Sequence, residues 1–131
     1  MTHENIVRLK ILSHTLTPEA ITAIIGLQCD QWWRDGDVRK HTIIIEKNNG
    51  WILHSGLPRT VDLDTHVKAL LDTLEPVKEA VRGLSITEVV ELSVVIYSPS
   101  SLSFPAISFD AATICRMTEL GAGLDIDLYV T

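Results

Sequence analysis

Cysteine is scarce in this chain: two among 131 residues, at positions 29 and 115. They are too few and too far apart for a disulfide scaffold or a four-ligand zinc site. Glycine and proline are sparse as well, at seven and five. No Gly/Ser linker, internal repeat or low-complexity segment divides the chain, so a single domain over residues 1–131 is expected. Long apolar runs are missing. The longest uncharged stretch, Leu92 to Phe109, is rich in serine and broken by Pro99 and Pro105, which excludes a helical membrane span. No basic leader followed by an apolar run opens the sequence, so the expected compartment is the cytoplasm. Phosphate-cradling glycine loops, the Gly-x-Ser-x-Gly elbow and the His-Glu-x-x-His pair are absent too. No cofactor, metal or catalytic residue is therefore assigned, and an enzyme is the less favoured class.

What is present is negative charge, unevenly spread. Seventeen acids outweigh eleven bases, for a formal charge of -6. Residues 1–59 carry seven bases and six acids, whereas residues 60–131 carry four bases and eleven acids. An acidic second half repels phosphate backbones and argues against nucleic acid. It would suit a protein partner of basic character.

Periodicity predicts the elements. Ile6 to Leu12 alternates, with Val7, Leu9 and Ile11 on one side and Arg8 and Lys10 on the other, as a strand covered on one face does. Thr17-Pro18-Glu19 reads as a helix start and Gly26 as its left-handed stop, with Ile21, Ile24 and Ile25 buried. The periodicity disappears over residues 27–40. Thr42 to Glu46 and Trp51 to Ser55 flank Asn48-Asn49-Gly50 and read as a hairpin. A three-residue loop with left-handed Gly50 opposes Ile45 to Leu53 and gathers Ile43, Ile45, Trp51 and Leu53 on the core face. Asp62 caps a helix with the stripe Leu63, Val67, Leu70, Leu71 and Leu74, which Pro76 breaks. A short helix stopped by Gly83 follows, then a strand from Thr87 to Ser98. A helix from Asp110 to Leu120 and a strand alternating Leu124, Ile126, Leu128 and Val130 with Asp125, Asp127 and Tyr129 complete the chain.

The order β-α-β-β-α-β-α-β predicts an α+β protein, a two-layer α/β sandwich. Its core is expected to be ferredoxin-like βαββαβ with an added C-terminal helix and strand. A pairing of the first strand with the last would place Arg8 and Lys10 beside Asp125 and Asp127 as cross-strand ion pairs.

Four segments carry a resemblance. They are Thr17-Pro18-Glu19 leading to Ile25-Gly26-Leu27, Gly50-Trp51-Ile52-Leu53-His54-Ser55, Leu70-Leu71-Asp72-Thr73-Leu74-Glu75-Pro76, and Glu119-Leu120-Gly121-Ala122-Gly123-Leu124-Asp125-Ile126-Asp127-Leu128-Tyr129. Together the chain resembles an uncharacterised bacterial family, domain of unknown function number 4279. The resemblance brings no activity and no catalytic residues. It implies a bacterial origin and, by analogy, a small non-catalytic protein-binding module, immunity-like or regulator-like.

The candidate binding residues are Trp32, Trp33 and Arg34 in the 27–40 segment, because tryptophan and arginine are enriched at binding hot spots. His54, Asp125 and Asp127 join them on the uncovered sheet face. The alternative class is a small ligand-binding protein or hydrolase-like enzyme, with its site between that segment and the open face. A homodimer through Ile44 and Ile52 is the remaining expectation. The histidines at 3, 14, 41, 54 and 66 read as lone surface residues, and Cys115 as a small packed residue on a helix. Cys29, just past a helix C-terminus, sits where a thiolate is disfavoured.

Overall fold

The strand predicted at the start of the chain runs from Glu4 to Ser13 and alternates buried with half-buried side chains along its whole length. It is β1 in a computed structural model that describes residues 2–131. The elements after it are α1 (Pro18–Ile25), β2 (Gln31–Trp33), β3 (Asn49–His54) and α2 (Leu63–Leu74). A 3-10 turn at Glu75–Val77 leads to α3 (Lys78–Ser85), β4 (Val89–Ser98), α4 (Ala111–Glu119) and β5 (Gly123–Val130). The protein is α+β, with one five-stranded sheet in the order β2-β3-β1-β4-β5. All neighbours are antiparallel except β4 and β5, which run parallel. This five-stranded order, with a parallel β5 at its edge, is not the strand order of the expected ferredoxin-like fold.

Helix starts follow local chemistry. Thr17, Asp62 and Asp110 each accept a hydrogen bond from the backbone N–H three residues on, capping α1, α2 and α4. Such caps are typically worth about 1 kcal/mol each. Gly26 ends α1 at φ 84°, as expected. Gly83 does not stop α3 but lies inside it.

The core forms where the odd-numbered face of β1 meets the helices. Val7, Leu9 and Ile11 pack with Trp51, the α2 stripe and Val90, Leu92, Val94 and Ile96 of β4. Trp51 is completely buried, and its Nε1 donates to Thr22 Oγ1 at 3.0 Å. Ile24, expected in this core, is 45 % exposed because α1 turns Pro18, Ile21 and Ile25 inward instead.

The predicted hairpin is not formed. Asn49 and Gly50 belong to β3, opposite Ser13 and Leu12 of β1, and Gly50 does not adopt a positive φ. The other neighbour of β3 is Gln31–Trp33, so a strand arises inside the segment that showed no periodicity. Residues 34–48 form a separate flap, closed on itself by Gly36–Glu46, Glu46–Asp37 and Arg39–Ile44 backbone hydrogen bonds. Ile43 and Ile45, expected in the core, are 96 % and 58 % exposed on it. Asn49 explains the change. Buried, it donates through Nδ2 to Leu16 O at 2.9 Å and accepts from Asp35 N at 2.9 Å. Its side chain ties two loops together instead of shaping a turn.

Two further expectations are corrected. β4 separates β1 from β5, so Arg8 and Lys10 form no ion pair with Asp125 or Asp127; Arg8 Nε instead donates to Ser93 Oγ at 3.3 Å. His66 is not on the surface but only 1 % exposed. Its Nε2 meets Pro58 O at 2.9 Å, and a carbonyl only accepts, so the proton sits on Nε2 and Nδ1 accepts from Ser55 Oγ at 2.7 Å. Burial pushes its pKa below the ordinary value against the pull of Pro58 O and Asp62. The unfolded chain therefore binds more protons just below about pH 6.5, and stability should fall as pH drops through that value, by at most about 1.4 kcal/mol per pH unit. Urea midpoints measured from pH 7.5 to 5 should show this slope, and His66→Gln should reduce it. An unchanged slope in His66→Gln would mean that other groups control it.

Candidate functional site

Helices contact the sheet through β1, β3 and β4 on the core face, which leaves the other face of the sheet to a mixture of polar and apolar side chains. Strand alternation decides which ones. The β1 pairings place Arg8, Lys10, Ile52 and His54 together there with Glu91 and Ser93. One register row crosses four strands: His54, Arg8, Ser93 and Asp125. The next holds Gln31, Ile52, Lys10 and Glu91.

The flap hangs over one half of this face and closes an open cleft of about 1220 Å³. Its floor includes Arg8, Lys10, Ile52 and Trp33; its roof includes Val38, Lys40, Ile44 and Lys47. Five cations (Arg8, Lys10, Arg39, Lys40, Lys47) face three carboxylates (Asp30, Asp37, Glu46) in the lining. Arg39 is satisfied by Glu46 within the flap at 2.8 Å. Among the described residues Lys10 makes no ion pair. The cleft is a locally cationic site on an acidic protein.

The two tryptophans of β2 separate, since successive strand residues point to opposite faces. Trp33 lies on the cleft side, its ring so close over Gly50 that a Cβ there would come 2.0 Å from Cε2. Gly50 is thus required for close approach and not for a turn. The Trp33 indole Nε1 is buried and has no hydrogen-bond partner. Trp32 lies toward the helices at the sheet edge, 53 % exposed. The Arg34 guanidinium sits 4.9 Å from its ring centroid and pairs with Glu19 of α1. Arg34 therefore braces α1 through Glu19 and lines no part of the cleft, whereas Trp33 lines its floor and Trp32 reaches its rim at the sheet edge.

His54 is half-buried beside the cleft. Its backbone N–H donates to Asp30 Oδ2 at 2.7 Å, and burial pushes its imidazole pKa down, opposed by Asp30 and assisted by Arg8 and Arg59. Asp125 and Asp127 are exposed on β5, at the far edge of the same face, and line no part of the cleft. Sequence reasoning placed Arg8 and Lys10 on this face but missed the flap cations Lys40 and Lys47, which only the folded flap brings over them. Of the two residues expected at a dimer surface, Ile52 is 2 % exposed and Ile44 47 %, so only Ile44 is open to solvent.

The remaining reactive groups lie elsewhere. Burial is the main cause that raises the Cys29 thiol pKa, which keeps it protonated at neutral pH. Cys115 is exposed and not packed as expected, because that side of α4 faces solvent. Ser55 and His66 have the pairing of a nucleophile and base, but neither lines the cleft; their hydrogen bonds hold the β3–α2 connection.

A family model described as a domain of unknown function (DUF4279) matches residues 2–131. No curated protein and no solved structure matches the chain. With essentially its whole length matched, the chain belongs to the DUF4279 family.

Proposed function

We propose that this DUF4279 protein is a non-catalytic binding module that holds an acidic, extended segment of a partner protein between its flap and its open sheet face. The observation that carries the reading is the cleft floor. Arg8 and Lys10 stand two residues apart on one face, about 7 Å along the strand, beneath a roof that adds Lys40 and Lys47. A carboxylate-bearing strand entering there meets cations below and above. The exposed aliphatics Val38, Ile44 and Ile45 supply the apolar contact such a segment needs. Trp33 Nε1, buried without an acceptor, is a donor that a bound carboxylate or carbonyl would satisfy once the flap adjusts.

The scaffold reading belongs with this proposal: β1 to β4 form a ferredoxin-like unit in the spatial order 4-1-3-2, with α4 and β5 appended. A cytoplasmic, bacterial protein of immunity-like or regulator-like role fits it. The rival reading, a hydrolase-like enzyme at the same cleft, draws only on His54 near Asp30. There the backbone N–H and not the imidazole makes the hydrogen bond, which gives no base oriented by a third group.

The test is a fluorescence titration with a synthetic peptide alternating glutamate and leucine. Binding is expected to be salt-sensitive and to weaken about tenfold or more in Lys40→Glu/Lys47→Glu, where both side chains are exposed and the fold should persist. Arg8→Gln/Lys10→Gln should weaken it similarly. Equal binding by wild type and the flap variant would overturn the reading, as would an alternating lysine–leucine peptide whose binding the flap substitutions weaken to the same degree.

A further inference from the structure

β5 ends the sheet, and all eight of its residues are exposed. Toward the helix layer it presents Leu124, Ile126, Leu128 and Val130, exposed by 46, 36, 41 and 55 %. The other face presents Asp125, Asp127 and Tyr129, the last stacked on Tyr97 at 5.5 Å between ring centroids. The helix layer that covers the equivalent stripe on β1 and β4 stops short of this strand. Neither aspartate makes an ion pair among the described residues. Soluble proteins usually blunt such an edge with lysine, proline or a bulge. Gly123–Val130 contains neither lysine nor proline.

We infer that the outer edge of β5 accepts one more strand from a partner protein, a strand in which aliphatic residues alternate with lysine or arginine. Strand addition satisfies the unpaired backbone groups of the edge. Its aliphatic side chains extend the row from Leu124 to Val130 over the helix side, and its cations lie opposite Asp125 and Asp127 on the other. Charge decides against a second copy of this chain as the occupant. Pairing two β5 edges gathers four carboxylates on one face of the joined sheet, between molecules of net charge -6, and like charges across a strand pair are destabilising. The surface lies on the opposite sheet edge from the flap and stands independently of what the cleft binds.

The experiment is a ¹⁵N chemical-shift titration of the full chain with two acetylated peptides, one alternating valine with lysine and one alternating valine with glutamate. The lysine peptide is expected to shift the β5 amides and to bind at β5 about tenfold tighter than the glutamate peptide, whose shifts at the cleft are read separately. Asp125→Asn/Asp127→Asn, at exposed positions that leave the core intact, should remove most of that preference. Ile126→Lys should abolish the β5 shifts. Equal affinities of the two peptides read from the β5 amides, or no β5 shift with the lysine peptide, would overturn the inference. So would sedimentation of the protein alone as a dimer whose β5 amides are protected from exchange, since the occupant would then be a second copy.

Discussion

Trp51→Ala should lower the unfolding free energy by about 3–5 kcal/mol, whereas Trp32→Ala should change it by no more than about 1 kcal/mol. The difference follows from how deeply the two rings are buried, one on an inner strand and the other on the edge strand. Trp51 is opposite Ile11 on the core face of β3, fully buried, with its indole N–H engaged by Thr22 of α1. Its removal leaves a cavity between α1 and the sheet and an unpaired hydroxyl beside it. Trp32 is directly opposite on β2 but over half exposed, with the Arg34 guanidinium 4.9 Å from its ring centroid. Urea unfolding of the two variants checks this directly. Comparable losses would mean that Trp32 is packed as deeply as Trp51 and that the helix side of the β2 edge is not open.

Gly50→Ala has the second large effect, and its sign is informative. In a strand not crowded by a neighbour, replacing glycine with alanine restricts the unfolded chain and stabilises by about 0.4–1 kcal/mol. Here the new Cβ would fall 2.0 Å from the Trp33 ring, so the indole must leave its seat. A loss of about 1–3 kcal/mol is expected, of the size seen when a packed site is overfilled, with a red shift in Trp33 emission. The same substitution in a Trp33→Ala background should be neutral or slightly stabilising, which is a coupling that a double-mutant cycle measures. A stabilising Gly50→Ala in the wild-type background would mean that Trp33 does not rest on β3 and that the cleft floor is misassigned.

Elements with long, regular periodicity were legible from the chain alone. β1 shows it in Val7, Leu9 and Ile11 against Arg8 and Lys10, and α2 in the stripe from Leu63 to Leu74, each side chain buried where the period puts it. Capping was equally local: Thr17, Asp62 and Asp110 each hold the N–H three residues on. The failures have one physical origin, a long-range contact outweighing a local preference. Asn48-Asn49-Gly50 has the composition of a tight turn, yet the Asn49 side chain is taken by Leu16 and Asp35 and the Gly50 surface by Trp33. Gln31–Trp33 is three residues long, too short for any period to register, so only its partner β3 reveals it as a strand. His66 hides similarly, since the polar partners that permit its burial come from the preceding loop.

The candidate site divides along the same line. That Arg8 and Lys10 share a face follows from a period of two. That Lys40, Lys47 and Ile44 fold over them depends on the flap hydrogen bonds, from Gly36–Glu46 to Arg39–Ile44, which no local pattern announces. The charge imbalance between the two halves of the sequence has its counterpart in space. The open face is cationic under the flap and acidic at Asp125 and Asp127 on β5, and the two ends should select partners of opposite sign.

The most direct measurement is a ¹⁵N chemical-shift map of the wild-type protein titrated with the alternating glutamate–leucine peptide. The account predicts perturbations concentrated at Arg8, Lys10, Gln31, Trp33 and Ile52 and along residues 36–46, with the helix layer silent. Perturbations confined to α2, α3 or α4, or an unmoved set of cleft amides at saturation, would contradict it.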